Sequence, residues 1–118
     1  MAFDHERLDV YQLALDLLVL ADDVIERLPR GRGHLTDQLA RASTSIVLNI
    51  AEGAGKFSKA DKRRYYLIAA GSTTECAAIF DVCARLKLLL PEVHESGKVT
   101  LDRIMSMLVK LAKNLEER

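Results

Sequence analysis

The sequence has no tryptophan, only two prolines, only two cysteines and an aromatic content of 5%. Its apolar residues are mainly leucine, alanine, valine and isoleucine, of which leucine and alanine favour helices. Cys76 and Cys83 lie in a predicted helix, where about 10 Å separates their Cα atoms, and this exceeds disulfide reach. The sequence therefore predicts an all-helical protein with reduced thiols in the core or in an interface.

An excess of charge of one sign is also missing, because 17 basic residues balance 17 acidic ones. The field of the whole molecule therefore favours neither nucleic acid nor a membrane surface. The distribution is uneven, since residues 1–26 hold seven acidic residues and one arginine, for a net charge of −6. Residues 27–41 hold four basic residues and one acidic residue, and residues 54–64 hold five and one, for net charges of +3 and +4.

Segments typical of export or membrane insertion are absent as well. The N-terminus has no basic stretch followed by an apolar one, as a secretory signal has. No uninterrupted apolar run approaches the roughly 18 residues that cross a bilayer. We therefore expect a cytoplasmic protein with no membrane among its partners.

Apolar residues at helical spacing predict four helices with short connections. The predicted helices cover, approximately, residues 5–28, 34–53, 59–90 and 100–118. The segment "PEVHESGK", residues 91–98, is predicted to form a loop because Pro91 stops a helix, and Thr100 is predicted to cap the fourth helix. Short connections make successive helices antiparallel. The prediction is one domain, residues 1–118, with an antiparallel up-down four-helix bundle fold.

The second and third helices are predicted to form a hairpin. Gly53 and Gly55 suit a helix stop because glycine accepts positive φ. Ser58 is predicted to be the N-cap of the third helix, with Asp61 at the N3 position of a capping box. Gly71, inside the third helix, indicates a close helix contact or a slight bend.

The first predicted helix has a wide apolar surface. Its polar residues form only a narrow strip, which consists of Asp9, Gln12, Asp16, Asp23 and Arg27. A surface helix of a small monomer needs a single apolar stripe, and a bundle of four helices encloses none of them completely. We therefore expect that other copies of the chain cover the remainder, so that the bundle is a homo-oligomer.

Patterns typical of catalysis or of metal and cofactor binding are absent. "GAGK", residues 53–56, departs from the phosphate-binding loop at Ile50 and Phe57, and from the dinucleotide-binding pattern at Ser58. No histidine follows a glutamate at di-iron spacing, the histidines and cysteines show no zinc spacing, and no serine lies in a G-x-S-x-G elbow. The sequence predicts no catalytic residue, no metal and no cofactor, and hence no enzyme.

Polar residues recur on one face of the second predicted helix. They are Arg41, Ser45, Asn49 and Glu52, at spacings of four, four and three. One interpretation is the solvated side of an amphipathic helix. In the other, the stripe contacts another helix or subunit, where Arg41 pairs with Glu75 and Asn49 fixes the register by hydrogen bonding.

Five basic residues follow the predicted hairpin, and we call them the basic corner: Lys56, Lys59, Lys62, Arg63 and Arg64. One interpretation is a solvated face. The other is a phosphate-binding surface, because the cluster lies beside Phe57, Tyr65 and Tyr66 and a cyclic oligomer would repeat it as a ring. Basic residues also oppose the dipole of the helix that they open. Arg30 and Arg32 would support the corner if their loop lies at the same end.

The segment "DQLARASTSIVLNIAEGAGKFSKADKRRYYLIAAGSTTE", residues 37–75, resembles a known family. That family is the 23S ribosomal RNA intervening-sequence proteins, four-helix bundles related to the accessory variability determinant proteins of diversity-generating retroelements. The hallmarks of the family are matched here by Gln38, Arg41, Ala42, Ser45, the run "NIAEG" at 49–53, Gly71, Ser72 and Glu75. "LDVYQLALDL" and the C-terminal leucine pattern extend the resemblance over nearly the whole chain.

The resemblance implies a cytosolic up-down bundle that assembles as a ring-like homopentamer and has no known catalytic activity. In the retroelement branch, similar proteins bind nucleic acid through a basic surface and associate with a reverse transcriptase. This chain departs from many relatives by having Ala70 in place of a basic residue, and from the retroelement branch by its neutral charge.

Two hypotheses follow for the function. In the preferred one, a non-enzymatic homo-oligomer binds RNA or DNA, with the basic corner neutralising phosphates while Phe57 or Tyr65 stacks on a base. In the alternative, the bundle is a protein-interaction scaffold for a partner enzyme such as a reverse transcriptase, without nucleic-acid binding of its own.

Overall fold

The computed structural model describes residues 3–116, which form one short 3-10 helix and four long α-helices with overall dimensions of 47 × 30 × 22 Å. The 3-10 helix is Asp4–Arg7, and the α-helices are α1 (Asp9–Arg27), α2 (Gly33–Ala54), α3 (Lys59–Arg85) and α4 (Pro91–Asn114). The first predicted helix is thus shorter than expected, because residues 4–7 form the separate 3-10 turn.

The four helices run alternately up and down. α1 packs against α2 and α4, and α3 packs against α2 and α4, whereas the backbones of α1 and α3 do not approach each other closely within residues 3–116. The all-α up-down bundle is therefore confirmed, with α1 and α3 on diagonal corners. Residues 55–58 connect helices at one end, which we call the corner end. Residues 28–32 and 86–90 connect them at the other, the loop end.

The core is a single column of apolar side chains between the helices. On α1 its members are spaced by four and three residues, at Val10, Ala14, Leu17, Ala21 and Val24. The largest buried side chains include Phe80, Leu17, Leu39, Ile46, Ile50, Leu101, Ile104 and Leu108. Most of the remaining apolar residues of α1 are half-buried against this core, and only Val19 is fully outside it, at 70% exposure. The protomer itself thus covers most of the wide apolar arc of α1.

The boundary between α3 and α4 corrects the sequence prediction. α3 ends at Arg85 rather than Leu90, and residues 91–98 are the start of α4 rather than a loop. Pro91 can begin this helix because the first helical position does not need an N–H donor, and because the fixed φ of proline is close to that of a helix. Thr100 consequently lies inside α4. Lys87, which has a φ of +60°, lies in the turn between α3 and α4.

Two helical glycines permit close packing around α3. A Cβ on Gly97 would lie 2.1 Å from Cε2 of Phe80, and a Cβ on Gly53 would lie 2.8 Å from Cε1 of Tyr66. Each glycine therefore makes room for an aromatic ring of α3, and this use outweighs the weak helix propensity of glycine.

α3 is long and apolar enough to cross a bilayer by length and composition alone. In its most apolar window of 18 residues, 33% of the residues are buried inside the bundle. The core helix of a globular bundle satisfies the same criterion.

Candidate nucleic-acid interface

At the turn between α2 and α3, α3 begins as predicted, whereas α2 ends in a different way from the prediction. The backbone N–H of Asp61 donates to Oγ of Ser58 at 3.0 Å, which confirms Ser58 as the N-cap. Gly53 lies inside α2, and Gly55 has a φ of −85°, so neither glycine uses positive φ to stop the helix. The reason for Gly53 is instead the Tyr66 ring. Burial, and secondarily the charge of Asp4, raises the pKa of Tyr66.

Lys62 closes the exposed end of α2. Its Nζ donates to the backbone oxygen of Ala54 at 2.8 Å and lies 3.5 Å from that of Gly53. An ammonium group at this position satisfies carbonyls that have no partner within the helix and complements the negative end of the helix dipole. Lys62 was predicted to contact phosphate, but in this conformation its charge is directed into the corner itself.

Two cations of the basic corner share one aromatic ring. Nζ of Lys56 lies 5.2 Å from the centroid of the Tyr65 ring, and Cζ of Arg64 lies 4.8 Å from it, both within the range of a cation–π contact. Lys56 also lies 3.4 Å from Glu52, in an exposed i, i+4 pair of small energetic value. The structure therefore places both charges beside an aromatic face at the surface.

Phe57, at the tip of the turn, is fully exposed. The adjacent Lys59 is the first residue of α3 and is also exposed, with no ion pair inside residues 3–116. Arg63 is directed elsewhere, since Nη2 lies 3.6 Å from Glu116 and the buried Nε has no hydrogen-bond partner in the described chain. The outward part of the basic corner is therefore Lys56, Lys59 and Arg64, with the exposed Phe57 beside them.

Arg30 and Arg32 lie at the loop end, because they connect α1 to α2. The corner end is separated from them by the length of α2, about 33 Å for 22 residues. Arg30 and Arg32 therefore lie at the opposite end from the basic corner and do not support it within one protomer.

The predicted polar stripe of α2 lines an open groove against α3. Ser45 and Ser72 join the two helices through a hydrogen bond of 2.8 Å between their Oγ atoms. Nδ2 of Asn49 donates to the backbone oxygen of Ser45 at 2.8 Å and to its Oγ at 3.0 Å. The groove has a volume of about 820 Å³, and its polar lining includes Gln38, Arg41, Thr44, Ser45, Asn49, Ser72 and Glu75. Most residues that carry the family resemblance on α2 and α3 thus meet in one place.

Other members of the stripe have different positions from those expected. Arg41 and Glu75 both line the groove, yet within residues 3–116 they form no ion pair with each other or with a third residue. Glu52 faces Lys56 instead of another helix. Ser72 was not predicted as a contact, although the "GS" pair at 71–72 in the resemblance was the signal that indicated it.

A second charged cluster joins α3 to α4 away from the corner. The Asp81 carboxylate accepts hydrogen bonds from Lys98 Nζ at 2.7 and 2.9 Å, and its Oδ1 lies 2.7 Å from His94 Nε2. These hydrogen bonds, with that of Lys98 the stronger, lower the pKa of Asp81. In the part of the chain that the structure describes, no three His, Cys, Asp or Glu side chains are grouped as metal ligands.

This architecture, an antiparallel up-down bundle with a polar interhelical groove and a basic hairpin corner, defines a class of small all-helical proteins. The family model described as "23S rRNA-intervening sequence protein" matches residues 6–110, and the chain belongs to this family. A crystal structure of a protein of unknown function from the S23 ribosomal protein family of Bacteroides thetaiotaomicron has the same fold. It shares 24% identity with a TM-score of 0.82, covering 88% of this chain and 95% of that one. No curated protein matches the chain.

Proposed function

We propose that this protein is a non-enzymatic homo-oligomeric bundle, a pentamer as the family resemblance implies, that binds RNA or DNA with its basic corner. Lys56, Lys59 and Arg64 neutralise phosphates, and Phe57 stacks on a base. Lys62 holds the turn in shape by capping α2, and Arg63 contributes to the local positive potential.

The observation that carries this proposal is the complete exposure of Phe57 between basic residues. An exposed phenylalanine stabilises nothing inside the protomer, whereas a base stacked on it would remove apolar surface from water. The exposed cations around it supply the sequence-independent attraction that nucleic-acid binding requires. In a ring, each protomer would repeat this group, so that weak individual contacts add up.

The test is a gel shift with single-stranded and duplex RNA and DNA at two salt concentrations. Wild-type protein is expected to bind with salt-dependent affinity, and Lys59→Ser/Arg64→Ser to bind more weakly with a salt slope reduced by about 2. Phe57→Ala is expected to weaken single-strand binding by about 1–3 kcal/mol while leaving the salt slope unchanged.

The matched control is Arg30→Ser/Arg32→Ser, which removes the same charge from the loop end. It is expected to bind like the wild type. Equal losses for the two double variants would show that overall charge rather than the corner binds the nucleic acid. A wild-type protein that binds none of the four probes at micromolar concentration would exclude the proposal.

The second candidate function is a protein-interaction scaffold, and the groove between α2 and α3 favours it. Arg41 and Glu75 line an open surface without partners inside the described chain, and charged groups arranged in this way give specificity to protein contacts. The partner would be an enzyme such as a reverse transcriptase. Pull-down of a purified reverse transcriptase with protein in which all five basic-corner residues are serine separates the candidates, since retained capture supports the scaffold.

A further inference from the structure

A cleft beside the basic corner lies between the 3-10 helix and the last turns of α2. Its volume is about 620 Å³, which is in the range of pockets that hold small molecules. We call it the corner cleft, and its lining includes Phe3, Asp4, Leu48, Glu52, Lys56 and Phe57. Two of these residues, Lys56 and Phe57, also belong to the surface proposed to bind nucleic acid, so the cleft opens next to that surface.

The apolar side chains that line the corner cleft are exposed to solvent. Phe57 is fully exposed, Phe3 is 69% exposed and Leu48 is 58% exposed. Single apolar residues are normal on a protein surface, whereas several that line one cleft indicate a binding site. Two of the three are aromatic, and aromatic rings offer a stacking surface to any nucleobase. The apolar lining therefore suits a flat, unsaturated ligand.

Phe3 is held in position by its neighbours. Its ring stacks on the ring of His5, with 5.7 Å between the centroids and an angle of 19° between the planes. The His5 ring in turn contacts the ring of Tyr11 on α1 edge-on, at a centroid distance of 4.6 Å. The backbone oxygen of Phe3 accepts a hydrogen bond of 3.1 Å from the N–H of Glu6. Because the ring is ordered before a ligand arrives, less entropy is lost on binding.

The carboxylates of Asp4 and Glu52 distinguish the corner cleft from a plain phosphate-binding surface. A carboxylate repels phosphate, so these groups do not help to neutralise a nucleic-acid backbone. Its two oxygens are acceptors and it has no donor, so it complements an edge that presents two adjacent N–H groups.

Among the common bases, guanine has such an edge at neutral pH, formed by N1–H and the N2 amino group. Adenine, cytosine and uracil instead place an acceptor next to each donor. This edge of guanine is its Watson–Crick edge, which proteins reach only where the base is unpaired. The acceptors of the cleft therefore favour guanine in a single strand.

We propose that the corner cleft binds an unpaired guanine of single-stranded RNA or DNA. The base stacks against Phe3 and Phe57, and the Glu52 carboxylate accepts hydrogen bonds from N1–H and N2–H. Lys56, whose Nζ lies 3.4 Å from Glu52, is close enough to neutralise a phosphate beside the bound base. This inference rests on the proposed function and adds to it the base that is recognised and the form of the strand.

The test is fluorescence anisotropy of the full chain with short labelled oligouridine and oligothymidine strands that carry one central guanine, adenine or cytosine. Wild-type protein is expected to bind the guanine strand about tenfold more tightly than the others. Glu52→Gln is expected to reduce this ratio to about one, because the amide places a donor against the donors of guanine. The ratio is the decisive quantity, since removing a negative charge also raises the affinity for every strand. Phe3→Ala is expected to weaken binding of the guanine strand about tenfold.

The matched control is Asp37→Asn, which removes the same charge from α2 near the loop end and is expected to keep the preference for guanine. All three substituted side chains are exposed, and circular dichroism checks that each variant is helical. Equal affinity of the wild type for all strands overturns the guanine site while the proposed function stands. A preference that Glu52→Gln retains overturns the role of Glu52. Failure to bind any strand overturns the proposed function as well.

Discussion

The inner and outer faces of α3 are built on different principles. The inner face is shaped by its own chain, because Tyr66 fills the space left by Gly53 and Phe80 fills the space left by Gly97. The outer face has a glycine of its own, Gly71, and apolar side chains, but no atom of the described chain explains them. The comparison teaches that glycines of α2 and α4 serve intramolecular packing where they face α3, whereas the glycine of α3 itself faces open space.

The largest expected effect is on the inner face. Phe80→Ala removes a fully buried ring and is expected to lower the free energy of unfolding by about 3–5 kcal/mol. Val82→Ala, the control on the outer face, is expected to change it by less than about 0.5 kcal/mol. Urea unfolding at low protein concentration measures both. Similar losses for the two variants would contradict the distinction between the faces.

The next effect concerns the glycine beneath Phe80. Gly97→Ala places a methyl group where the ring already lies, and the strain is expected to cost about 1–3 kcal/mol of unfolding free energy. Combining it with Phe80→Leu removes the clash, so that the double variant should be more stable than the sum of the two single losses indicates. Strict additivity of the two losses would show that the contact is not tight.

A smaller effect of opposite sign is expected at Gly71. Gly71→Ala meets no obstacle in the protomer and removes a flexible residue from a helix, so it should raise the free energy of unfolding by about 0.5–1 kcal/mol. If the outer face binds a second copy closely, the same change weakens association. Thermal unfolding of dilute protein measures the first effect and light scattering the second. Destabilisation of the monomer would contradict the open surroundings of Gly71.

The smallest effect is at the edge between the faces, where Asp81 meets Lys98 and His94. Hydrogen bonds to the carboxylate lower the pKa of Asp81 below the ordinary value of 3.8. The unfolded chain therefore binds this proton more readily, so the stabilisation is present above about pH 4 and disappears as the pH falls through the lowered pKa. Asp81→Asn should be slightly less stable than the wild type at pH 7, and the difference should vanish in acid. Asp102→Asn, also exposed, is the control for urea midpoints at both pH values.

Local signals in the sequence were sufficient for the architecture. Apolar spacing gave the four helices, and Ser58 with Asp61 gave the start of α3 correctly, because a capping hydrogen bond involves neighbours in the chain. Pro91 was misread as a stop because proline is compatible with both the end and the beginning of a helix. Which of the two applies depends on contacts between different helices, such as the packing of Gly97 of α4 against Phe80 of α3.

The candidate site was predictable in composition but less so in geometry. The basic corner lies where the hairpin was expected, yet the capping role of Lys62 and the ion pair of Arg63 with Glu116 depend on how the bundle closes. Similarly, the polar stripe on α2 was visible in the sequence, whereas its partner Ser72 needed the relative position of α3. The wide apolar arc of α1 was visible in the sequence, whereas the extent to which the protomer covers it depends on how α2 and α4 pack against α1.

The buried face of α3 carries two thiols whose burial has a consequence for their reactivity. Cys76 and Cys83 are both buried and unbridged, and burial raises the pKa of Cys76 to about 12. At neutral pH Cys76 consequently holds its proton and offers almost no thiolate to an oxidant. Burial also raises the pKa of Cys83, so both thiols of the core are poor nucleophiles at neutral pH.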